Sequence, residues 1–271
     1  MQIVTKYPDG VFCWVDLTTP DVEGAKAFYG GLFGWETDSH SDTGYYTFRL
    51  HGYSVAGVGP MSAEMQAGGS PPVWISYVKH EDIDSVAGRA ANAGGTVFSP
   101  PMDVPAADGG SEGRFALIMD PTGAPFGVWE PSNHTGAQLV NVPGALVWNE
   151  LQTRDTAAAS AFYRDVFGWT TAEMNPGYAV CQVDGRGQAG MLTIEESWGD
   201  VPPNWTVYFQ VDDVPAAAAR AEALGGAVVV PPSDPAQSWQ FAVLRDPQGA
   251  HFTVAHWNNP SDPPPGETKE G

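Results

Sequence analysis

Two carboxylates stand in matching and unusual company. Asp16 follows Trp14 by two residues in Phe12-Cys13-Trp14-Val15-Asp16-Leu17, and Glu150 follows Trp148 by two in Leu146-Val147-Trp148-Asn149-Glu150-Leu151. Both stretches alternate as strands do, so each acid shares a face with its indole. A carboxylate beside an indole loses part of its water. That raises its pKa and suits it to act as a general base, or to hold a cationic or hydroxylated ligand. The plainer reading is an acid tied to an arginine or to backbone amides in a cavity wall. The indoles of Trp14, Trp74, Trp148 and Trp205 either fill the concave side of a sheet or wall a site where a planar or apolar ligand stacks. Alternation along the neighbouring strands adds Arg49 and Gln182 to that side, with Tyr45 and Tyr178 further along. Arg49 reads as a partner for Asp16, as an anion contact, or as a solvated strand residue.

The elements that position these residues come in copies. Trp14 and Trp148, Asp16 and Glu150, Asp21 and Asp155, and the runs Ala27-Phe28-Tyr29-Gly30-Gly31-Leu32-Phe33-Gly34-Trp35 and Ala161-Phe162-Tyr163-Arg164-Asp165-Val166-Phe167-Gly168-Trp169 all lie 134 positions apart. Such detailed self-similarity marks a duplication. Within the first copy, Asp21 opens a helix that Gly34 ends, and residues 44–50 and 53–58 form a hairpin across His51-Gly52. A second unit of the same order starts at Val73, with a helix from Ile83 to Ala93 and a turn at Asp120-Pro121-Thr122-Gly123. Trp205 and Asp246-Pro247-Gln248-Gly249 repeat these marks in the second copy. The result is four βαβββ units in two domains, 8–131 and 143–257, with Pro- and Gly-rich linkers at 60–72 and 131–143. The last stretch, 258–271, contains Pro263-Pro264-Pro265 and reads as a disordered tail.

Composition bounds the partners. The 271 residues are 42% hydrophobic, enough for two cores, and carry 12 Lys and Arg against 32 Asp and Glu, a net charge of -20. Phosphate backbones and anionic membranes are repelled. Without an apolar run of about 20 residues or a signal-peptide pattern at Met1 to Lys6, a soluble cytoplasmic protein is expected. Cys13 and Cys181 fall in strands and do not match between copies, so both read as buried, reduced thiols. The histidines are His40, His51, His80, His134, His251 and His256, with no helical i, i+4 pair; His256 with Glu150 is the nearest approach to a metal cluster. No phosphate loop and no Gly-x-Ser-x-Gly elbow is present.

Laid out this way, the chain resembles the vicinal oxygen chelate superfamily of glyoxalase I, bleomycin-type resistance proteins, fosfomycin resistance enzymes and extradiol dioxygenases. The resemblance runs from about Gly10 to Trp257. It rests on the Trp-x-Asp/Glu-Leu strand with Asp seven positions after the Trp, on Phe-Tyr-x-x-x-Phe-Gly-Trp, and on Asp-Pro-x-Gly-Ala, each present twice. It implies an α+β fold of two tandem domains whose curved sheets enclose cavities. Metal-bearing members place His or Gln on the first strand of a unit, His on the first strand of its neighbour and Glu on the last strand. The matching positions are Trp14, Trp74 and Gly127, then Trp148, Trp205 and Thr253, none an ordinary ligand for a divalent ion. The expectation is therefore a binding protein without metal or cofactor for an aromatic or apolar metabolite or antibiotic, acting as monomer or homodimer. The alternative is a glyoxalase-like lyase or natural-product tailoring enzyme with Asp16 or Glu150 as general base. A third reading has one half decayed into a scaffold.

Overall fold

The computed structural model describes residues 2–39, 43–107, 109–234, 239–257 and 265–271. A terminal strand β1 (Gln2–Lys6) precedes the first domain. That domain runs β2 (Phe12–Thr19), α1 (Val22–Phe33), β3 (Glu36–Ser39), β4 (Tyr46–Leu50), β5 (Tyr53–Pro60), α2 (Ala63–Ala67), β6 (Val73–Lys79), α3 (Ile83–Asn92), β7 (Thr96–Pro105), β8 (Ser111–Met119) and β9 (Pro125–Pro131). The second runs β10 (Leu146–Thr153), α4 (Thr156–Phe167), β11 (Thr170–Asn175), β12 (Tyr178–Val183), β13 (Arg186–Thr193), β14 (Asn204–Gln210), α5 (Val214–Ala223), β15 (Ala227–Val230), β16 (Trp239–Arg245) and β17 (His251–Trp257), before β18 (Glu267–Glu270). Each domain is one eight-stranded mixed sheet, ordered β3-β4-β5-β2-β6-β9-β8-β7 and β11-β12-β13-β10-β14-β17-β16-β15. The α+β architecture of two tandem domains and four βαβββ units is the one expected.

Local chemistry fixes the helices. Asp21, Asp82, Asp155 and Asp213 each cap a helix, the carboxylate accepting a hydrogen bond from the backbone N–H three residues on. Gly34 and Gly168 end α1 and α4 at φ 75° and 73°, a left-handed turn that glycine enters without a Cβ penalty.

The two halves complete each other's cores. Helix α1 packs with α5 and α3 with α4, each pair crossing the domain boundary. The Tyr29 hydroxyl donates to Asp246 Oδ2 at 3.0 Å and the Tyr163 hydroxyl donates to Asp120 Oδ2 at 2.9 Å. The other oxygen of each aspartate accepts backbone N–H groups of its own turn, from Thr122 and Ala124 in one case and from Gln248, Gly249 and Ala250 in the other. The tyrosine of Phe-Tyr-x-x-x-Phe-Gly-Trp and the aspartate of Asp-Pro-x-Gly are thus one contact made twice, each time across the domain boundary. Trp35 and Trp169 add a second matched pair, their indoles donating to Gly144 O at 2.7 Å and Gly10 O at 2.8 Å.

The tail departs from expectation. Residues 258–264 of the anticipated disordered segment lie outside the described residues, but Glu267–Glu270 forms a strand antiparallel to Gln2–Lys6. Its backbone groups find partners on the edge that β1 offers, which a reading based on side-chain burial overlooks.

Candidate functional site

The cavity face of each sheet is set by the central strand pair. In the first half Trp14 pairs with Tyr77 and Asp16 with Ile75 across β2 and β6, while Asp16 lies beside Gly57 on β5. Paired residues share a face, so Trp14, Asp16, Gly57 and Tyr77 converge. Trp14 Nε1 donates to the Tyr45 hydroxyl at 3.1 Å, and Tyr77 hydrogen-bonds the Asp16 carboxyl. Tyr45 packs its hydroxyl against Gly57, where any side chain would collide with it. Burial pushes the Asp16 carboxyl up to about 7, opposed by the Tyr77 hydrogen bond. The residue keeps a partly exposed edge.

The second half repeats this group of four. Trp148 pairs with Tyr208 across β10 and β14, and Glu150 lies beside Gly190 on β13. The Tyr208 hydroxyl donates to Glu150 Oε1 at 2.8 Å, and Trp148 hydrogen-bonds Tyr178. A Cβ at Gly190 would lie 2.6 Å from the Tyr178 hydroxyl and 3.0 Å from Trp148 Nε1. Burial raises the Glu150 carboxyl above its ordinary value, against hydrogen bonds from Tyr208 and Gln152. Trp148, Tyr178, Trp239 and Trp257 are half-buried here, whereas Trp14 and Trp129 are buried in the first half.

The halves differ most where the paired strands splay before their first parallel contact. In the first half that gap is filled by the chain itself. Ala137 N–H donates to Cys13 O at 2.8 Å, Gln138 N–H to Ser54 O at 2.7 Å, and Ser54 N–H to Gln138 Oε1 at 3.1 Å. Val4 N–H then donates to Gln138 O, and His134 sits over Trp14 at 4.3 Å between ring centroids. In the second half the same gap between β10 and β13 is a cavity of about 360 Å³, walled by Trp148, Asn149, Arg186, Gln188, Trp257 and Pro265, among others.

Several residues singled out from the sequence lie elsewhere. Trp74 pairs with Leu17 and Trp205 with Leu151, so both indoles point to the helix side. There Trp74 Nε1 donates to the Tyr29 hydroxyl at 3.0 Å and Trp205 Nε1 to the Tyr163 hydroxyl at 2.8 Å. They are core residues. Arg49 follows a break in the β4–β5 register and is turned to the surface, where it pairs with Asp38 and donates to Gly52 O. Gln182 follows a similar break in β12 and is half-buried, with Val183 lining the cavity in its place. His256 turns its Nδ1 to Val211 O at 2.8 Å rather than to Glu150. His40 lies outside the described residues. Cys13 and Cys181 are buried and unbonded, and burial pushes both thiols up, Cys181 to about 12.

Sequence reasoning missed Tyr77, Tyr208, Trp257 and Gln188. The two tyrosines stand three residues after Trp74 and Trp205, at matched positions but opposite parity, so choosing the tryptophan as the inward residue hid them. Trp257 shares the parity of Thr253 and was legible on that ground. Gln188 carried no repeat signal, because its counterpart two residues before Gly57 is Val55.

Comparison with known proteins agrees with this geometry. The Glyoxalase-like domain family matches residues 148–255. CFP32 of Mycobacterium tuberculosis, provisionally named a glyoxylase, is 40% identical over 258 residues, covering 92% of this chain and 96% of that one. The chain belongs to the glyoxalase-like branch of the vicinal oxygen chelate superfamily. The anthracycline biosynthesis protein DauV of a Streptomyces species is 35% identical over 270 residues, covering 93% of this chain and 94% of that protein. Among solved members of the superfamily, the Mn(II)-bound glyoxalase of Novosphingobium aromaticivorans superposes with a TM-score of 0.62 at 18% identity, covering 94% and 83% of the two chains. The 2,3-dioxygenase LapB of a Pseudomonas species gives 0.62 at 13% identity, covering 97% and 95%. These two likenesses concern the fold.

A divalent metal at the superfamily's usual place does not fit the residues here. Trp14 and Trp148 offer N–H donors already used by tyrosines, and the space beside Gly127 is taken by the Tyr77 ring. Asp16 and Glu150 supply one carboxylate per half, each bonded to a tyrosine. Among the described residues no three His, Cys, Asp or Glu side chains converge as a metal set would.

Proposed function

We propose that the chain binds a planar aromatic or apolar small molecule, a metabolite or antibiotic, without a metal, and that it does so in its second half. The observation that carries this reading is the cavity of about 360 Å³ beside the half-buried indoles of Trp148 and Trp257, whose counterpart in the first half is filled by the protein's own backbone. Its size falls within the range of about 300–1,000 Å³ usual for small-molecule pockets. Trp148 meets Trp257 edge to face at 6.2 Å, and Trp257 meets Trp239 in the same way at 5.2 Å, contacts that hold the indoles of Trp148 and Trp257 in the cavity wall. A relative named for anthracycline biosynthesis supports a polycyclic ligand. On this reading the first half is the scaffold that the duplication left behind.

Calorimetric titration with bicyclic and tricyclic aromatics, before and after exhaustive chelation, tests it. Saturable binding that survives chelation and is lost in Trp148→Ala is expected. Stoichiometric divalent metal in the purified protein, with binding lost on its removal, overturns it.

A second reading has one specific support. Asp16 sits at about 7, held by Tyr77 and still partly exposed, as a general base must be. On that reading a substrate carrying an acidic C–H or O–H is deprotonated in the first half, and Asp16→Asn abolishes turnover with the fold intact.

A further inference from the structure

The first half holds an acid that no cation of the protein answers. Asp16 forms no ion pair with any Lys, Arg or His among the described residues. The groups facing it are Tyr45 on β4, Gly57 on β5, and Ile75 and Tyr77 on β6, with burial pushing both phenols far above their ordinary range. Tyr77 offers one hydroxyl to a carboxylate that has two oxygens. The other oxygen is not sealed in the interior as the unpartnered Gln188 amide is, and Asp16 keeps its partly exposed edge. The backbone that fills the first half stops short of it, bonding Cys13 and Ser54 ahead of the first parallel pair, Asp16 with Gly57. A desolvated carboxylate without a counter-charge is costly, so a cation brought to this place is stabilised.

The surface beyond Asp16 on the same face is apolar. Tyr77 pairs with Gly127 on β9, and Gly127 pairs with Leu117 on β8. Paired residues share a face, so Phe115 and Met119 join Leu117 by alternation, and Met102 of β7 joins them as the partner of Phe115. Met102 is 46% exposed and Met119 39%, and Phe115 and Leu117 are partly exposed. Leu117 stands three strands from Asp16, about 14 Å along the sheet and less across its curve. The second half differs at this point. Arg245 takes the place of Met119, each just before the aspartate of Asp-Pro-x-Gly, so that face carries a cation of its own where the first carries a thioether. One acid beside an exposed apolar surface complements a ligand that brings one positive charge on an apolar body. Methionines adapt to an irregular aliphatic chain, and the phenol rings of Tyr45 and Tyr77 favour a cation near them.

We infer that the concave face of the first half is a second binding site, for small aliphatic amines. The ammonium pairs with the Asp16 carboxylate beside Tyr45 and Tyr77, and the hydrocarbon lies along Leu117, Phe115, Met102 and Met119. This site is separate from the cavity of the second half and gives the first half a ligand of its own.

The test uses n-hexylamine, which stays protonated from pH 5 to 8, against 1-hexanol, which keeps the chain without the charge. Neither has a ring to stack on Trp148 or Trp257. The full-length protein is titrated with each by calorimetry. Binding of the amine needs an ionised Asp16, and burial holds that carboxyl at about 7. Amine affinity should therefore rise about tenfold from pH 5 to 6 and level off above 7, while the alcohol shows no such rise. Below pH 7 each bound amine displaces a proton, so the measured heat should change with the ionisation enthalpy of the buffer. In Asp16→Asn the preference for amine over alcohol falls to near one. That variant removes one acid of 32, so a general attraction of amines to the acidic chain would survive it. Met119→Arg, a change at an exposed side chain, gives the face the cation its counterpart has and should weaken the amine about threefold with the alcohol unchanged. The inference is overturned if neither compound binds, if amine and alcohol bind equally at pH 7, if amine affinity is the same at pH 5 and 7, or if the preference persists in Asp16→Asn. Amine binding that is lost in Trp148→Ala overturns it too, by placing the amine in the second half, and leaves the reading of that cavity standing.

Discussion

Tyr77 lays its ring over Gly127, so closely that a Cβ on the glycine would meet the ring carbons. The two residues pair across the parallel strands β6 and β9. A position where the metallo relatives keep a carboxylate has become the bed for an aromatic side chain that in turn holds Asp16.

Gly127→Ala is therefore expected to destabilise the protein by about 1–3 kcal/mol, the usual cost of overpacking. The cause is steric, so the same substitution in a Tyr77→Ala background costs much less. Urea denaturation of the two single variants and the double variant measures this coupling. Additive effects would show that the ring is not what excludes the side chain.

Tyr163 links the halves, donating to Asp120 and accepting from Trp205. Tyr163→Phe leaves a buried carboxylate and a buried indole N–H each short of a partner, at a cost of about 2–3 kcal/mol. Tyr29→Phe breaks the matching contacts to Asp246 and Trp74 and costs a similar amount. Because each of the two larger cores takes side chains from both domains, either variant should shift one common unfolding transition in differential scanning calorimetry. Two separated transitions would mean that the halves melt independently.

How far the sequence carries can be judged on these same residues. The duplication was legible because the same local motifs recur at one fixed spacing of 134 positions, and the Asp caps and glycine stops because each is set within a few positions. The sharing of a face by Trp14 with Asp16, and by Trp148 with Glu150, was legible because alternation within one strand is local too. Trp74 and Trp205 were misplaced because the side they face depends on how β6 and β14 register against β2 and β10, and a slip of one residue reverses every side chain. Arg49 and Gln182 each follow a bulge that resets the alternation. The filled gap in the first half was out of reach, because Gly136 to Gln138 come from a linker with no periodic signal.

Asp16 makes stability fall as pH rises. Its folded pKa of about 7 lies above the ordinary 3.8, so the folded state binds the proton more tightly than the unfolded chain. Below pH 4 the carboxyl is protonated in both states and costs nothing. From about pH 4 to 7 the penalty builds to at most about 4 kcal/mol, and above 7 it is constant. Asp16→Asn has no such penalty, so its stability relative to the wild type should rise across that window and then level. Tyr77→Phe removes the hydrogen bond that holds the pKa down and should move the upper end of the window above pH 7. Denaturant midpoints between pH 4 and 8 record both effects; parallel curves for wild type and Asp16→Asn would show that the carboxyl titrates normally.

Trp14 and Trp148 hold equivalent positions but should answer differently to removal. Trp14 is buried under His134 and the inserted backbone, at 4% exposure. Trp14→Ala should cost about 3–5 kcal/mol of stability, as large core truncations do, and leave ligand affinity within about twofold. Trp148 is half-buried on the cavity wall. Its truncation removes less packed surface, so Trp148→Ala should cost less stability yet weaken binding of a planar aromatic by tenfold or more, since a stacked aromatic anchor is worth about 2 kcal/mol or more. Trp74→Phe serves as the control: its indole bonds Tyr29 on the far side of the sheet, so it should lower the melting temperature without changing affinity. Titration calorimetry and thermal melts on the three variants separate the roles. Loss of binding in Trp14→Ala with binding retained in Trp148→Ala would move the site to the first half.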